Sequence, residues 1–166
     1  GAAAILTDAA GARLAADVLA ETDVALIVAE DPRAALACAA ALWFGAQPDI
    51  MVAVTGTNGK TSVATFTRQI WVALGHEAIN IGTTGIEGAW AAPSSPTTPD
   101  AITLQKLLAA AARGGVTHAA MEASSHGLDQ RRLDGVRLAA AGFTNLTQDH
   151  LDYHGTMAAY FEAKAR

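Results

Sequence analysis

The segment 50-IMVAVTGTNGKTS-62 decides the fold of this chain. Residues 50–54 form a continuous apolar run of the length and type that a buried strand has. A Gly-rich turn follows at residues 56–59, and the residues 60-KTS-62 open a helix. A strand that turns through glycines into a helix predicts the first part of a βαβ unit, and therefore a parallel sheet.

Strand and helix patterns alternate along the rest of the chain as well. Before the deciding segment we predict strands at 2–6 and 24–29 and helices at 8–20 and 31–44. After it we predict a helix to residue 74, a strand at 78–82, a loop at 83–99, a helix at 100–113, a strand at 116–122, a short helix at about 126–133, a strand at 138–144, a loop at 145–155 and a helix at 156–166. This alternation predicts an α/β fold with a mainly parallel sheet and helices on both faces.

The turn-rich stretch 45-GAQPD-49 predicts a linker between two units, residues 1–46 and residues 47–166. The first strand begins without a lead-in, and the last helix is still running at Arg166 without a stop signal. We therefore expect the chain to be a fragment of a longer protein.

The composition limits the class of protein. Apolar residues make up 51% of the chain and the formal net charge is −5, so there is no basic stripe for nucleic acid and no polybasic segment for a membrane. No apolar stretch reaches membrane-spanning length, and the Ala-rich start has neither a basic n-region nor an uninterrupted h-region. Cys38 is the sole cysteine, which excludes an intrachain disulfide; its apolar surroundings predict a core position. We expect a cytoplasmic protein with neither nucleic-acid nor membrane partners.

The strongest chemical motif is 54-VTGTNGKTS-62. Such a turn directs backbone N–H groups and a helix N-terminus at phosphate, while Lys60 can reach the terminal phosphates and Thr61 can bind Mg²⁺. The motif departs from the full G-x-x-x-x-G-K-[ST] pattern, because the operative first glycine is Gly56. An ordinary Asn-Gly turn followed by a solvated lysine is the alternative.

Glu122 ends the apolar strand of 119-AAMEASSHGLDQRR-132. Ligands collect at the carboxyl ends of parallel strands, so Glu122 should face the same crevice as Lys60 and Thr61 and could hold Mg²⁺ or its water. The alternative is that Glu122 only caps the helix that starts near His126.

The segment 144-TNLTQDHLDYHGT-156 is rich in Asn, Asp and His. His150 and His154 are four residues apart with acidic residues around them, which indicates a metal or phosphate site. The set lacks a full zinc spacing, so magnesium with nucleotide oxygens is favoured. Solvated loop histidines are the alternative.

Together these motifs, with 97-TTPD-100 and the closing YFEAKA, resemble the Mur ligases, and within them the MurE branch. The resemblance covers nearly the whole chain. It implies that residues 1–46 end an N-terminal substrate domain that binds UDP, and that residues 47–166 begin a central ATP-binding domain. A C-terminal domain would be absent.

The resemblance also implies site residues. The ATP phosphates would lie on Gly56, Thr57, Asn58, Gly59, Lys60, Thr61 and Ser62. Magnesium would be held by Thr61, Glu122, His150 and Lys164, the last as a carbamate formed with CO2; Lys60, Glu122, His150 and Lys164 would be the catalytic residues. The muramoyl-dipeptide substrate would contact Thr97, Thr98, Ser124, Gln130 and Arg132.

The activity implied by the resemblance is an ATP-dependent, ADP-forming ligation in peptidoglycan synthesis, and hence in cell-wall formation and cell division. A monomeric enzyme would add meso-diaminopimelate to the D-Glu γ-carboxylate of UDP-N-acetylmuramoyl-L-Ala-D-Glu through an acyl phosphate. An L-lysine-adding enzyme is the first alternative, because the residues that choose the amino acid would lie in the C-terminal domain.

Two further alternatives come from other classes. Folylpolyglutamate synthases share the short loop and the acyl-phosphate chemistry, but their Gly-Thr-Asn-Gly-Lys-Gly loop differs from 60-KTS-62 and they do not account for SSHGLDQRR. A nucleotide-binding module that is inactive on its own is the other, and we expect the isolated chain to be inactive. A switch GTPase is excluded, because its Asn-Lys-x-Asp motif is absent.

Overall fold

A computed structural model describes residues 1–92 and 97–166 of the chain. Its strands are β1 (Ala4–Thr7), β2 (Ala25–Val28), β3 (Ile50–Thr55), β4 (Ala78–Gly82), β5 (Gly85–Gly88), β6 (His118–Glu122) and β7 (Ala140–Phe143). Its helices are α1 (Ala9–Leu19), α2 (Pro32–Phe44), α3 (Lys60–Ala73), α4 (Ala101–Arg113), α5 (Ser125–Asp129), α6 (Leu151–His154) and α7 (Met157–Ala165).

The predicted α/β class is confirmed, with two elements that the sequence did not predict. Strand β5 lies inside the predicted loop 83–99, where it pairs antiparallel with β4 through a two-residue turn that joins Gly82 to Gly85. Helix α6 lies inside the predicted loop 145–155. Both elements are only four residues long, and two of the four residues of β5 are glycine, a composition that favours loops. Residues 93–96 of the predicted loop lie outside the described residues.

The main sheet has the strand order β5-β4-β6-β3-β7, and every neighbouring pair except β4 and β5 is parallel. One face packs on α4 and forms the hydrophobic core, which includes Met51, Ala53, Ile79, Ile81, Leu104, Leu108 and Met121. Asn80 lies between Ile79 and Ile81 in β4 and so points to the opposite face. There it accepts a hydrogen bond of 2.6 Å from Arg68 of α3. Helices therefore cover both faces, as predicted.

The segment before the main sheet contains β1, α1, β2 and α2, and α2 is the element that packs on the main sheet's helix α4. Strands β1 and β2 pair in parallel as a separate two-stranded sheet, while α2 packs against α4. Just after α2, the buried Gln47 amide donates to Gln105 Oε1 at 2.9 Å and to the Gly135 carbonyl at 2.8 Å. It also accepts from the Arg137 N–H at 3.0 Å. The predicted linker is thus a loop, but a firmly anchored one, and the boundary at residues 46 and 47 stays a prediction.

The surface of α2 corrects one expectation. Cys38 is exposed, so its predicted core position is wrong. The buried residues of α2 are Ala37 and Ala40, and a helix that is apolar nearly all round does not reveal from its sequence which face is buried. Within residues 1–92 and 97–166, no helix has both the length and the apolar character needed to cross a bilayer.

Candidate active site

Three parallel strands end at the same edge of the main sheet. The loop at residues 56–62, named here the phosphate loop, follows β3; Glu122 is the last residue of β6; and Thr144 follows β7. The register pairs Val54 with Glu122 and Thr55 with Phe143, so the three strand ends lie side by side. The structure therefore brings the phosphate loop and Glu122 to one crevice.

Two glycines give the phosphate loop its shape. Gly56 has φ 130°, and a Cβ at this position would collide with the Thr144 hydroxyl and lie 3.1 Å from the Asn145 nitrogen. Gly59 has φ 84° and precedes α3, whose first turn contains Lys60, Thr61 and the exposed Ser62. Gly59 has no side chain that could cap this helix. Within the described residues, the N–H groups of the first turn are therefore available to an anion.

The segment after β7 holds the phosphate loop from one side. The N–H of Thr57 donates to the Asn145 carbonyl at 2.9 Å, and the N–H of Asn58 donates to Asn145 Oδ1 at 3.1 Å. In return, the Thr144 hydroxyl donates to the Asn58 carbonyl at 2.7 Å. These contacts join residues far apart in the sequence, so the tertiary fold holds the loop in its conformation.

Two lysine amines meet on a single carbonyl of this loop. Lys60 Nζ donates to the Gly56 carbonyl at 3.0 Å and to the Thr57 carbonyl at 2.8 Å. Lys164 Nζ, from α7, donates to the same Gly56 carbonyl at 2.8 Å, and its residue is only 5% exposed. Burial and then the positive charge of Lys60 lower the pKa of Lys164 to about 8, while Asp149 opposes the shift. A neutral amine is therefore accessible near neutral pH.

Glu122 is a buried carboxylate, 2% exposed, whose partners lie on the β4–β5 turn. Its Oε1 accepts from the Thr83 N–H at 2.9 Å, and its Oε2 accepts from the Thr83 hydroxyl at 3.4 Å. Gly82 leaves the space that the carboxylate occupies, since a Cβ there would collide with it. The capping alternative is wrong: the side chain that caps α5 is Ser124, which accepts from the Gly127 N–H at 3.0 Å.

The residues expected to contact the dipeptide substrate are joined to the backbone around Glu122. The buried Thr98 hydroxyl donates to the Glu122 carbonyl at 3.1 Å and accepts from the Ser124 N–H at 3.1 Å. The Thr97 hydroxyl lies 3.1 Å from the Thr83 hydroxyl. The side chain of Thr98 is thus committed to protein contacts, and its structural role is to fix the strand end that carries Glu122.

Arg132 and Gln130 form the second half of this substrate-side network. Arg132 donates to the Thr98 carbonyl at 2.6 Å and to Gln130 Oε1 at 2.6 and 3.1 Å. The Gln130 amide donates to the Tyr153 hydroxyl at 3.2 Å, and this hydroxyl donates to Asp129 at 2.9 Å. All five predicted substrate contacts consequently belong to one connected set.

Three histidines, His126, His150 and His154, cluster near Tyr160. His150 has φ 50° at the start of α6, and its ring centroid is 4.9 Å from that of His126 and 6.2 Å from that of Tyr160. Burial, followed by the charges of neighbouring histidines, lowers the pKa of His126; burial also lowers the pKa of His154, against the effect of Asp129. In the described ranges, no group of three or more His, Cys, Asp and Glu side chains is arranged to hold a metal ion. The predicted set of Thr61, Glu122, His150 and Lys164, which mixes other residue types, stays a prediction.

Sequence reasoning missed Tyr160. This residue is 1% exposed, its hydroxyl lies 3.2 Å from the Thr57 hydroxyl, and its ring centroid lies 4.6 Å from Lys164 Nζ. The available signal was its position one helical turn before Lys164, which places both side chains on the same face of α7.

Comparison with known proteins decides the family. Residues 54–166 match the Mur ligase middle domain. This chain belongs to the Mur ligase family. The match begins within β3 and contains the phosphate loop, Glu122, His150 and Lys164, so the resemblance drawn from the motifs is confirmed.

Individual relatives of this Mur ligase chain point to one branch. The UDP-N-acetylmuramoyl-L-alanyl-D-glutamate--2,6-diaminopimelate ligase of Brucella melitensis biotype 1 is 60% identical over 149 residues, which are 89% of this chain and 30% of that protein. A solved structure of a ligase with the same name has a TM-score of 0.73 at 34% identity and covers 98% of this chain and 37% of its own. E. coli FolC in complex with DHPP and ADP has a TM-score of 0.62 at 18% identity, over 80% of this chain and 38% of its own, which shows likeness of fold alone. The chain spans about 30% of the length of the curated relatives it matches.

Proposed function

We propose that this chain forms the nucleotide-binding and active-site part of an ATP-dependent ligase that adds meso-diaminopimelate to UDP-N-acetylmuramoyl-L-alanyl-D-glutamate. The observation that carries the proposal is the preformed phosphate loop on which Lys60 and Lys164 converge, beside a buried carboxylate on the neighbouring strand. The names of its relatives supply the substrates. Because the chain spans about 30% of their length, the activity belongs to the whole ligase.

The phosphate loop and Lys60 would bind the ATP phosphates. The first-turn amides of α3 and the helix dipole attract anions, and Lys60 supplies a full positive charge. Lys60 now donates to the Gly56 and Thr57 carbonyls, and an incoming phosphate would replace these neutral acceptors with a charged one. Fixed donors of this kind lower the barrier by stabilising the charge that develops during phosphoryl transfer.

Some of the residues expected around the loop have side chains that suit a magnesium ion, and Lys164 suits it only after modification. Mg²⁺ prefers oxygen ligands, which the Glu122 carboxylate and the Thr61 hydroxyl provide. Lys164 as an ammonium does not fit, but its neutral amine can react with CO2 to give a carbamate and a proton. The carbamate adds anionic oxygen, and the pKa of about 8 makes the neutral amine accessible. When bound, the metal would neutralise charge on the transferring phosphoryl group.

The substrate-side network would orient the acceptor. Arg132 is suited to a carboxylate or phosphate, and Gln130 and Thr97 add neutral hydrogen-bonding groups. In the proposed reaction the D-Glu γ-carboxylate oxygen bonds to the γ-phosphorus while the bond from that phosphorus to the ADP oxygen breaks. The amine nitrogen then bonds to the carboxyl carbon, phosphate leaves with its oxygen, and the amine releases a proton.

The test is ATP-dependent amide formation from UDP-N-acetylmuramoyl-L-alanyl-D-glutamate, with diaminopimelate or L-lysine, in a polypeptide that also carries the remaining parts of the relatives. We expect product with diaminopimelate, a loss of roughly 100-fold or more in rate for Lys60→Ala, and little change for Lys106→Ala, because Lys106 is exposed on α4.

Other outcomes separate the alternatives. Product with L-lysine alone would favour the lysine-adding enzyme, and glutamate addition to a folate would favour the folylpolyglutamate reaction. Nucleotide binding with no amide product would indicate a binding module. The cytoplasmic location, the monomeric state and the absence of nucleic-acid and membrane partners stay predictions.

A further inference from the structure

Tyr160 is the largest fully buried side chain in the described parts of the chain, and it lies between the phosphate loop and Lys164. Its hydroxyl is 3.2 Å from the Thr57 hydroxyl, and its ring centroid is 4.6 Å from Lys164 Nζ. Since Lys164 follows one turn later and donates to the Gly56 carbonyl at 2.8 Å, α7 contacts two consecutive loop residues through side chains four positions apart.

The other contacts of Thr57 fix the direction of its hydrogen bond with Tyr160. The Thr57 hydroxyl donates its one proton to the Thr147 carbonyl at 3.1 Å and accepts from the Thr147 N–H at 3.0 Å. A threonine hydroxyl has one donor and two acceptor positions, so one acceptor position is left. With that proton given to Thr147, the Tyr160 hydroxyl serves as the donor of the pair, and the Thr57 hydroxyl is then fully used by protein groups.

The side-chain hydroxyl and the backbone N–H of Thr57 bind different parts of the protein. Its side chain points towards α7 and residue 147, while its N–H donates to the Asn145 carbonyl. The Thr57 residue is thus an anchor that ties the loop to α7 and to the segment after β7.

From this geometry we propose that Tyr160 is a positioning residue, whose hydroxyl holds Thr57 and thereby keeps the phosphate loop in its nucleotide-binding conformation. The inference rests on the proposed function for its nucleotide readout. Without the hydroxyl, the loop retains its glycines and the contacts from Asn145 but gains freedom at Thr57. Nucleotide binding must then restrict a looser loop, which lowers the affinity.

The experiment removes only the oxygen, with Tyr160→Phe, and uses Tyr153→Phe as the matched control. The Tyr153 hydroxyl donates to Asp129 and accepts from Gln130, and neither partner belongs to the phosphate loop. Calorimetry with ADP should give a Kd about 3- to 10-fold higher for Tyr160→Phe, the range of one net hydrogen bond, and an unchanged Kd for Tyr153→Phe.

A double-mutant cycle tests whether the two hydroxyls act together. Thr57→Val should weaken ADP binding, and Tyr160→Phe added to Thr57→Val should cause no further loss, because the partner is already gone. Independent, additive losses would overturn the proposal, as would an unchanged Kd for Tyr160→Phe.

Hydrogen exchange without nucleotide gives a readout that does not depend on the proposed function. Tyr160→Phe should speed exchange at the Thr57 and Asn58 amides several-fold, and Tyr153→Phe should not. Unchanged exchange would overturn the proposal. If a polypeptide that also carries the remaining parts of the relatives fails to bind ADP, the proposed function fails, and the exchange result still decides whether Tyr160 holds the loop at Thr57.

Discussion

Lys164 should take up CO2 at about pH 8, and Lys106 should not. The structure gives the reason: Lys164 is buried, its amine shares the Gly56 carbonyl with Lys60, and its pKa falls to about 8. Only a neutral amine reacts with CO2, so the position of this pKa sets how much carbamate can form.

The size of the effect follows from the two pKa values. At pH 8 about half of the Lys164 amines are neutral, whereas a lysine with its ordinary pKa of 10.5 is about 0.3% neutral. The reactive population is therefore larger by a factor of about 150. As the pH falls below about 8, Lys164 becomes protonated and the carbamate should disappear. Replacing Lys60 with Met removes the neighbouring charge, so it should raise the pKa of Lys164 and reduce the carbamate at pH 8.

The assay is carbon NMR of the protein in ¹³C-bicarbonate, with a pH series and three single variants: Lys60→Met, Lys164→Met and Lys106→Met. Lys164→Met should remove the carbamate signal of Lys164, whereas Lys106→Met should retain it. A Lys164→Met spectrum identical to that of the unchanged protein, or a half-point close to the ordinary pKa of 10.5, would refute the reasoning.

Two other predictions concern stability and charge. Gly82→Ala should destabilise the fold by about 1–3 kcal/mol in urea unfolding, because its Cβ would displace the Glu122 carboxylate. Gly142 is a strand glycine with open space around its Cβ position, so Gly142→Ala should be neutral or stabilise by up to about 1 kcal/mol. Equal losses of stability in the two variants would contradict this prediction. The Ala34 N–H, followed by other contacts that include Arg131, lowers the pKa of Asp31 below 3.8. The contribution of ionised Asp31 to stability is therefore present above that pH and is lost as the pH falls through the folded pKa. Arg131→Met should raise the Asp31 pKa in an NMR titration, and an unchanged pKa would show that the 2.9 Å ion pair has no effect.

The elements with a strong local pattern could be predicted from the sequence. The apolar run of β3 and the Gly-rich turn after it predicted both the strand and the helix that follows, because turn geometry and burial depend there on adjacent residues. Strand β5 could not be predicted, since its pairing with β4 stabilises a glycine-rich segment that has little preference for a strand. The exposed Cys38 shows the same limit for an Ala-rich helix.

In the candidate site too, some features could be predicted from the local sequence and others could not. The motif predicted the phosphate loop, because its glycines and Lys60 are adjacent in the sequence. The contact of Thr57 with Tyr160 spans 103 residues and that of Thr83 with Glu122 spans 39, so they depend on tertiary packing. A pairwise contact of this kind leaves no local pattern, and a buried tyrosine resembles any other core aromatic.

The anchored Gln47 changes where the chain can bend. A residue that is hydrogen bonded to Gln105, Gly135 and Arg137 cannot act as a pivot without breaking buried polar contacts. Helix α2, packed on α4, should consequently move as part of the main sheet unit. Any swing of the two-stranded sheet would then be centred on the short connection between β2 and α2, one full helix earlier than the turn residues of the sequence indicate.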